Sequence, residues 1–409
     1  MSSVSAMNGN AIINDAGRVA TIVSAAQYQA DVIIVGGGIM GSAAAFFLRQ
    51  RGRSVILLER GLLGQQASGT NFGNVRRQGR NLLQIPLANR SLDIWRKLPQ
   101  LIGEDVEFLP SGHMRVCYGT ERLGMFEDYA LRARELGLDL EIFSGKQLRE
   151  RFPFLGPQIG GGSYSPLDGH ANPRLAAPAF GRAAARAGAQ IFENTEVDEV
   201  EKDGEDFRAT ATDGRVFRAP AVLIAAGAWA NRLSSSFGES VNLVAHGPQM
   251  GVTEPVPYGL KTVIGVSASN DLETLYFRQI PRGNIIFGGG NRGPAYPDLK
   301  RAYVRPENTL NQLYQLQRIA PALRQLNLLR VWSGIESYLP DDLPIMGTST
   351  KEPGLHYAFG FCGAGFQLGP GVGDVMAELI DTGSTVTPIE AFSIRRFFRE
   401  DFVARALQR

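Results

Sequence analysis

Two short apolar runs, Val32–Val35 and Ser54–Leu58, bracket an alanine-rich stretch that carries no charge before Arg49. Runs of four or five such residues have the length of buried strands, and Ser42–Gln50 between them has the length of a helix. Gly36, Gly38 and Gly41 fall where the first strand meets the helix, and the second strand ends on Glu59. Strand, glycine turn, helix, strand and acid make one βαβ unit of about thirty residues. A membrane-spanning reading of Val32–Leu48 fails on its bare length and on three consecutive glycines near its start.

The pattern continues in alternation. Gly61–Arg80 has no periodicity and is long for a connection, which marks it as a functional loop. Residues 82–98 read as a helix with Leu83, Leu87, Leu92 and Trp95 inward. Val106–Tyr118 reads as strand–turn–strand around Pro110-Ser111-Gly112. Glu121–Leu136 is an amphipathic helix, and Ser144 N-caps a shorter one to Arg151. Gly160–Pro173 reads as loop or edge strand, and Pro173–Gly188 as a helix with proline at its start. Gln190–Phe192 is a short strand, Val197–Glu201 and Phe207–Thr212 form a hairpin, and Ala221–Ala225 leads into a second glycine turn at Ala226–Ala230. From 241 to 335 the chain is β-rich through Val241–Val252, Thr274–Gln279 and Asn284–Gly289, with a helix at Arg305–Ile319 and a strand at Leu326–Ile335. The end of the chain adds a strand at Leu355–Phe359, a glycine-rich run, and a helix from Val372 to Ile380.

Composition narrows the classes. A chain of 409 residues is long enough for two domains. A net charge of +2 gives no pull toward nucleic acid or an anionic membrane. The two cysteines, Cys117 and Cys362, are far apart and fit a reducing cytoplasm rather than a disulfide scaffold. His113, His170, His246 and His356 have no metal-ligand spacing, so no metal is expected. Residues 1–28 read as a polar N-terminal extension without the pattern of a signal peptide.

The βαβ unit has a definite chemistry. Gly36 permits the tight turn, Gly38 lets the backbone approach a pyrophosphate, and Gly41 lets helix and strand pack closely. The helix N-terminus, opening at Ile39 and Met40, offers free N–H groups to phosphates. Glu59 sits where a carboxylate accepts from ribose hydroxyls, and an acid there disfavours a 2′-phosphate. Taken alone, the unit leaves NAD and FAD both open.

Three further segments decide between them: Ser68–Gln78 (SGTNFGNVRRQ), Val222–Trp229 (VLIAAGAW), and the C-terminal set of Trp332-Ser333-Gly334, Asp342–Gly347 and Gly360–Gly373. In this order they resemble the D-amino-acid oxidase and sarcosine oxidase superfamily of FAD-dependent enzymes over nearly all of 30–385. SPLDGHANP at 165–173 and LYFRQIPRGNIIFGGG at 275–290 look most like the FAD subunits of heteromeric opine, D-hydroxyproline and sarcosine dehydrogenases.

The resemblance implies an α/β fold: a glutathione-reductase-like, Rossmann FAD-binding domain with a second, mostly antiparallel-sheet α+β substrate domain. The first would take 29–105, 163–240 and 333–409, and the second 106–162 and 241–332. It implies a non-covalent FAD held by Gly36, Gly38, Ile39, Met40, Gly41, Glu59 and Arg60. The wrapping loop would add Ser68, Gly69, Asn71, Gly73, Asn74 and Val75. Val197, Ala226, Gly227, Trp229, Gly334, Gly363, Ala364, Gly365, Phe366 and Gln367 would complete the site. The family's covalent tether is a cysteine near Gly334, and none is near it here. The lysine that activates oxygen in monomeric sarcosine oxidases falls within Asn284–Phe287, which holds none, and a second lysine aligns with Gln367. An acceptor other than oxygen is therefore expected, with a second subunit carrying further redox cofactors as partner.

The implied reaction is hydride transfer from a C–H beside an amine nitrogen to flavin N5. Binding the substrate carboxylate wants a guanidinium fork, for which Arg76 and Arg278 are the candidates. Arg77 also follows the flavin loop, and Arg282 reads as a surface charge. His246 reads as a half-buried, hydrogen-bonded residue with a lesser claim to catalysis. Tyr276 and Tyr338 could close the pocket, and His170 reads as an interface residue. The alternatives are a free-standing oxidase producing H2O2 and a flavin-bound electron-transfer subunit without a pocket.

Overall fold

The computed structural model describes residues 27–398, together with a strand pair at Ile12–Ile13 and Val19–Ala20. The N-terminal extension expected over 1–28 lies mostly outside the described residues; its end, Gln27–Gln29, pairs in parallel with Val216–Arg218. The elements that position the site are, in chain order, β1 (Val32–Val35), α1 (Ile39–Gln50), β2 (Val55–Leu58), α2 (Ile85–Arg96), β3 (His113–Tyr118), β4 (Ile159–Ser165), α3 (Pro173–Arg186), β5 (Ala221–Ile224), β6 (Leu275–Gln279), β7 (Leu355–Phe359) and α4 (Gly365–Thr382).

β1 and β2 are buried at every position, which is why they read as unbroken apolar runs. Their side chains still alternate. Val32, Ile34, Val55 and Leu57 face a helical layer with Ala43, Phe180 and Val372. Ile33, Val35, Ile56 and Leu58 face the opposite layer with Phe207 and Phe217. The sheet order is Gln190–Phe192, β2, β1, β5, β7, Ile345–Thr348. All its pairs are parallel except the last, which is antiparallel. Helices α1, α3 and α4 cover one face. The strands Val197–Asp203, Asp206–Ala211, Val216–Ala219 and Gln27–Gln29 cover the other.

A second sheet has eight strands, in the order Leu328–Ser333, Gln249–Pro255, Asn284–Gly289, β6, Val263–Val266, β3, β4, Glu141–Ser144. Its pairs are antiparallel apart from Val263–Val266 with β3. Its own core includes Met114, Val116, Phe277 and Phe287.

Four expectations change. The last helix starts at Gly365, not Val372. Its glycines and Pro370 read as breakers, but they are what lets it pack. A methyl at Gly369 would lie 2.6 Å from Ile39 Cγ2, at Gly371 2.7 Å from Ser91 Cβ, and at Gly373 2.4 Å from Ala43 Cβ. The segment 160–165 is an interior strand, paired with β3 on one side and Glu141–Ser144 on the other. Val106–Tyr118 holds one strand, β3, with Leu109 making only an isolated bridge to His170. Leu83 is 52% exposed, because a separate 3-10 turn at Leu82–Gln84 precedes α2. Ser144 does cap its helix, with Gln147 closing a capping box.

Candidate active site

The turn between β1 and α1 is set by steric necessity. Gly36 has φ +111°, and a methyl at Gly41 would sit 1.9 Å from the Gly36 carbonyl oxygen. Glu59 ties the turn to β2: its Oε2 accepts from Gly37 N at 2.7 Å and its Oε1 from Gly61 N at 2.8 Å. Ser68 Oγ accepts from Ile39 N at 2.9 Å, so the loop after β2 is moored to the start of α1.

Above this turn lies a cavity of about 530 Å³, running from the C-terminal ends of β1, β2 and β5 to the eight-stranded sheet. Of the residues expected to hold the cofactor, Gly36, Gly38, Ile39, Met40, Glu59, Arg60, Ser68, Asn71, Asn74, Val197, Ala226, Gly227, Trp229, Gly334 and Gly363–Gln367 line it. Gly41, Gly69, Gly73 and Val75 do not; they shape its wall. A methyl at Gly69 would meet Gly64 O at 2.4 Å, and one at Gly73 would meet Ala171 O at 2.3 Å.

The donor set fits a flavin dinucleotide. Three polar atoms of cavity-lining residues are buried without a partner: Arg60 Nη2, Asn74 Oδ1 and Gln367 Oε1. Such atoms are costly unless a ligand satisfies them. Arg60 stacks 3.4 Å from the Trp229 ring centroid, a planar pair at the β5 end of the cavity. The N-terminus of α4 opens at Ala364 without a side-chain cap, and Gln367 is fixed from behind, donating to Ala88 O at 2.8 Å. Cys362 does not line the cavity. Its sulfur accepts from Leu339 N at 3.2 Å and bonds Gly360 O at 3.1 Å, and burial pushes the thiol up to about 12.

The other end of the cavity differs from expectation. Arg76 and Tyr276 line it; Tyr276 packs edge-on against Phe72 at 4.7 Å, and burial raises its phenol. Arg278 does not line it. Its Nε donates to Phe72 O at 2.9 Å, Nη1 contacts His170 Nδ1 at 2.9 Å, and Nη2 reaches Ala171 O at 3.4 Å. With the fork spent on backbone and imidazole, Arg278 clamps β6 to Phe72 in the loop after β2 and to the His170–Ala171 segment. His246 lies off the cavity wall, between Pro294 and Glu336 on neighbouring strands, its ring 5.4 Å from Tyr338. Arg77 is buried with Asp168 at 3.1 Å, and Arg282 is a surface pair with Glu107.

Sequence reasoning missed Arg80, His113, Arg115, Arg292 and Glu336, all of which line the cavity. A signal for two existed: in β3, Met114 and Val116 enter the core while His113 and Arg115 take the other face. Glu336 accepts from Gly363 N at 2.9 Å and from the Tyr338 hydroxyl at 2.7 Å, and burial raises its carboxyl.

A dinucleotide turn, a wrapping loop, an uncapped helix and a covering sheet around one cavity define the class: a flavoprotein oxidoreductase. The DAO family model, described as "FAD dependent oxidoreductase", matches residues 31–379, and the chain belongs to that family of FAD-dependent enzymes. It is 29% identical to glycine oxidase of Geobacillus kaustophilus, over 90% of this chain and 97% of that protein. It is likewise 29% identical to one of the subunits of opine oxidase from Rhizobium meliloti, over 90% of this chain and 98% of that protein. Its fold matches the crystal structure of L-proline dehydrogenase from P. horikoshii with a TM-score of 0.85, at 26% identity, over 91% of this chain and 99% of that one. Among the described residues no helix is long and apolar enough to cross a membrane.

Proposed function

We propose that the chain oxidises the CH–NH bond of an amino acid or N-substituted amino acid and delivers the electrons to an acceptor other than oxygen. The observation that carries this reading is Arg76: it lines the same cavity as Tyr276 and the Gly363–Gln367 segment. Bound FAD supplies the hydride acceptor. Arg76 holds the substrate carboxylate, while Tyr276 and Tyr338 wall the pocket. The turn at Gly36–Gly41, Glu59, the Ser68–Val75 loop and the N-terminus of α4 hold the cofactor without a covalent bond, Cys362 being turned away. The segments 29–105, 163–240 and 333–398 form the cofactor domain, and 106–162 and 241–332 the substrate domain; 399–409, expected to belong to the cofactor domain, lie outside the described residues.

The absence of lysine from Asn284–Phe287, with Gln367 at the other lysine position, supports a non-oxygen acceptor. Similarity to a protein named as a subunit supports a complex with a second chain that takes the electrons. Two unpaired cysteines are in keeping with a cytoplasmic protein. Similarity to a glycine oxidase favours a second reading, an H2O2-producing oxidase.

Anaerobic titration with glycine, sarcosine, proline and N-carboxyalkyl amino acids tests the reading by bleaching of the flavin band. Arg76→Ala should raise KM about 100-fold with flavin retained. No bleaching by any amine refutes it, and rapid peroxide release in air favours the second reading.

A further inference from the structure

Several other buried or half-buried arginines meet carboxylates: Arg77 pairs with Asp168, Arg90 with Asp374 and Glu378, and Arg396 with Asp341; Arg278 instead spends its fork on carbonyls and an imidazole. The inner wall of the cavity gathers three arginines that have neither arrangement. Arg76, Arg80 and Arg115 all line it, and among the described residues none of the three is in an ion pair. A methyl placed at Gly79 would sit 2.3 Å from Arg115 Nη1 and 3.1 Å from Arg76 Nη1, so two guanidinium groups share one small volume. Arg80 stands behind them, donating to Arg76 O at 2.7 Å and Ala364 O at 3.1 Å. Arg76 spends one donor on Gln78 O. The Arg115 guanidinium makes no hydrogen bond among the described residues; the Phe126 ring lies 5.8 Å from it.

The carboxylate whose charge reaches Arg76 and Arg80, Asp168, is already engaged. Asp168 accepts from Arg77 Nε at 3.1 Å, Arg77 N at 2.8 Å and Gln78 N at 3.2 Å. The imidazole beside the cluster, His113, is held by Gln78 at 2.9 Å. Burial, then Arg76, lowers Arg80 to about 9 and Arg115 to about 10; burial and the three arginines hold His113 well below its usual range. Like charges this close repel unless an anion joins them. One α-carboxylate occupies one fork. It would leave the other free guanidinium of the Arg76–Arg115 pair uncompensated.

We infer that the substrate carries two carboxylates, the second bound by Arg115 beside the first on Arg76. This rests on the proposed amino-acid oxidation. The second carboxylate could stand across the nitrogen, as in an N-carboxyalkyl amino acid, or at the end of a side chain, as in aspartate or glutamate.

The test uses binding rather than turnover. The FAD-loaded protein is titrated with oxydiacetate, which has two carboxylates and an ether oxygen in place of the amine, and with methoxyacetate, which has one; the flavin absorbance change reports occupancy. Oxydiacetate should bind at least about tenfold more tightly. Arg115→Gln should erase that ratio, and Arg115→Lys should keep part of it. Equal affinities in the wild type, no binding of either ligand, or a ratio untouched by Arg115→Gln overturns the inference. Anaerobic reduction by iminodiacetate against aspartate and glutamate then locates the second carboxylate. A retained binding preference with no reduction by any amine would refute the proposed oxidation and leave the dicarboxylate site standing.

Discussion

Arg278 separates a clamp from a substrate ligand. The residue is 3% exposed, and its guanidinium bridges β6 to the Phe72 and Ala171 carbonyls and to His170. Arg278→Met keeps the length of the stem but removes every donor. Two well-formed contacts, both at 2.9 Å, are lost, stranding Phe72 O and His170 Nδ1. A buried acceptor left without its donor costs roughly 1–3 kcal/mol, so the pair comes to about 4 kcal/mol. For a chain of 409 residues that is a fall of roughly 5 °C in the melting temperature of the FAD-loaded protein. Arg278→Lys should recover little, since a single ammonium cannot reach three acceptors set in a fork. The assay is thermal unfolding followed by flavin fluorescence, alongside KM measured well below the melting range. KM should stay within about twofold of wild type in the fraction that retains flavin. A variant that melts within about 2 °C of wild type with KM raised about tenfold would show that Arg278 binds substrate and that the clamp is incidental.

Three other outcomes are expected. Gly373→Val places carbon where Ala43 Cβ lies 2.4 Å and Ala44 N 2.7 Å away, so α4 must lift from α1. This costs about 1–3 kcal/mol, read as a lowered fraction of bound flavin after gel filtration. His356 is buried and its pKa is lowered to about 4 from 6.5 by that burial. Below pH 6.5 the unfolded chain takes a proton that the folded chain refuses, so stability falls as pH drops from 6.5 to 4, on the order of 3 kcal/mol from this group. Urea unfolding of His356→Leu should show that slope reduced by one proton; an unchanged slope would place the acid sensitivity elsewhere. Cys362→Ser should keep its flavin, and acid precipitation should release all flavin from the wild type; pigment retained in the pellet would mean a covalent link.

The cofactor half of the site could be read from the sequence because its determinants are local. Gly36, Gly41 and Glu59 act on backbone within thirty residues of one another, and the spacing that encodes them survives without knowledge of the fold. The start of α4 could not be read this way. Its glycines have low helix propensity, and only the approach of Ile39, Ala43 and Ser91, far away in sequence, turns them into a packing surface. The substrate half depends even more on distant contacts. Tyr276 and Arg278 lie two apart in β6, on the same face, and equal chemistry could be claimed for both. The structure parts them because the cavity ends between them: Tyr276 faces open space, while Arg278 lies under the Phe72 carbonyl. Arg115 shows the converse. On its strand it is one polar position in an alternating pattern, and its meaning comes from Arg76 and Arg80, brought to the same wall by the loop after β2. A lone arginine in a sequence has an ordinary prior of lying at the surface. Three gathered in one cavity wall are not scattered surface charges, and it is their shared lack of a carboxylate partner among the described residues, more than the identity of any one, that points to the ligand.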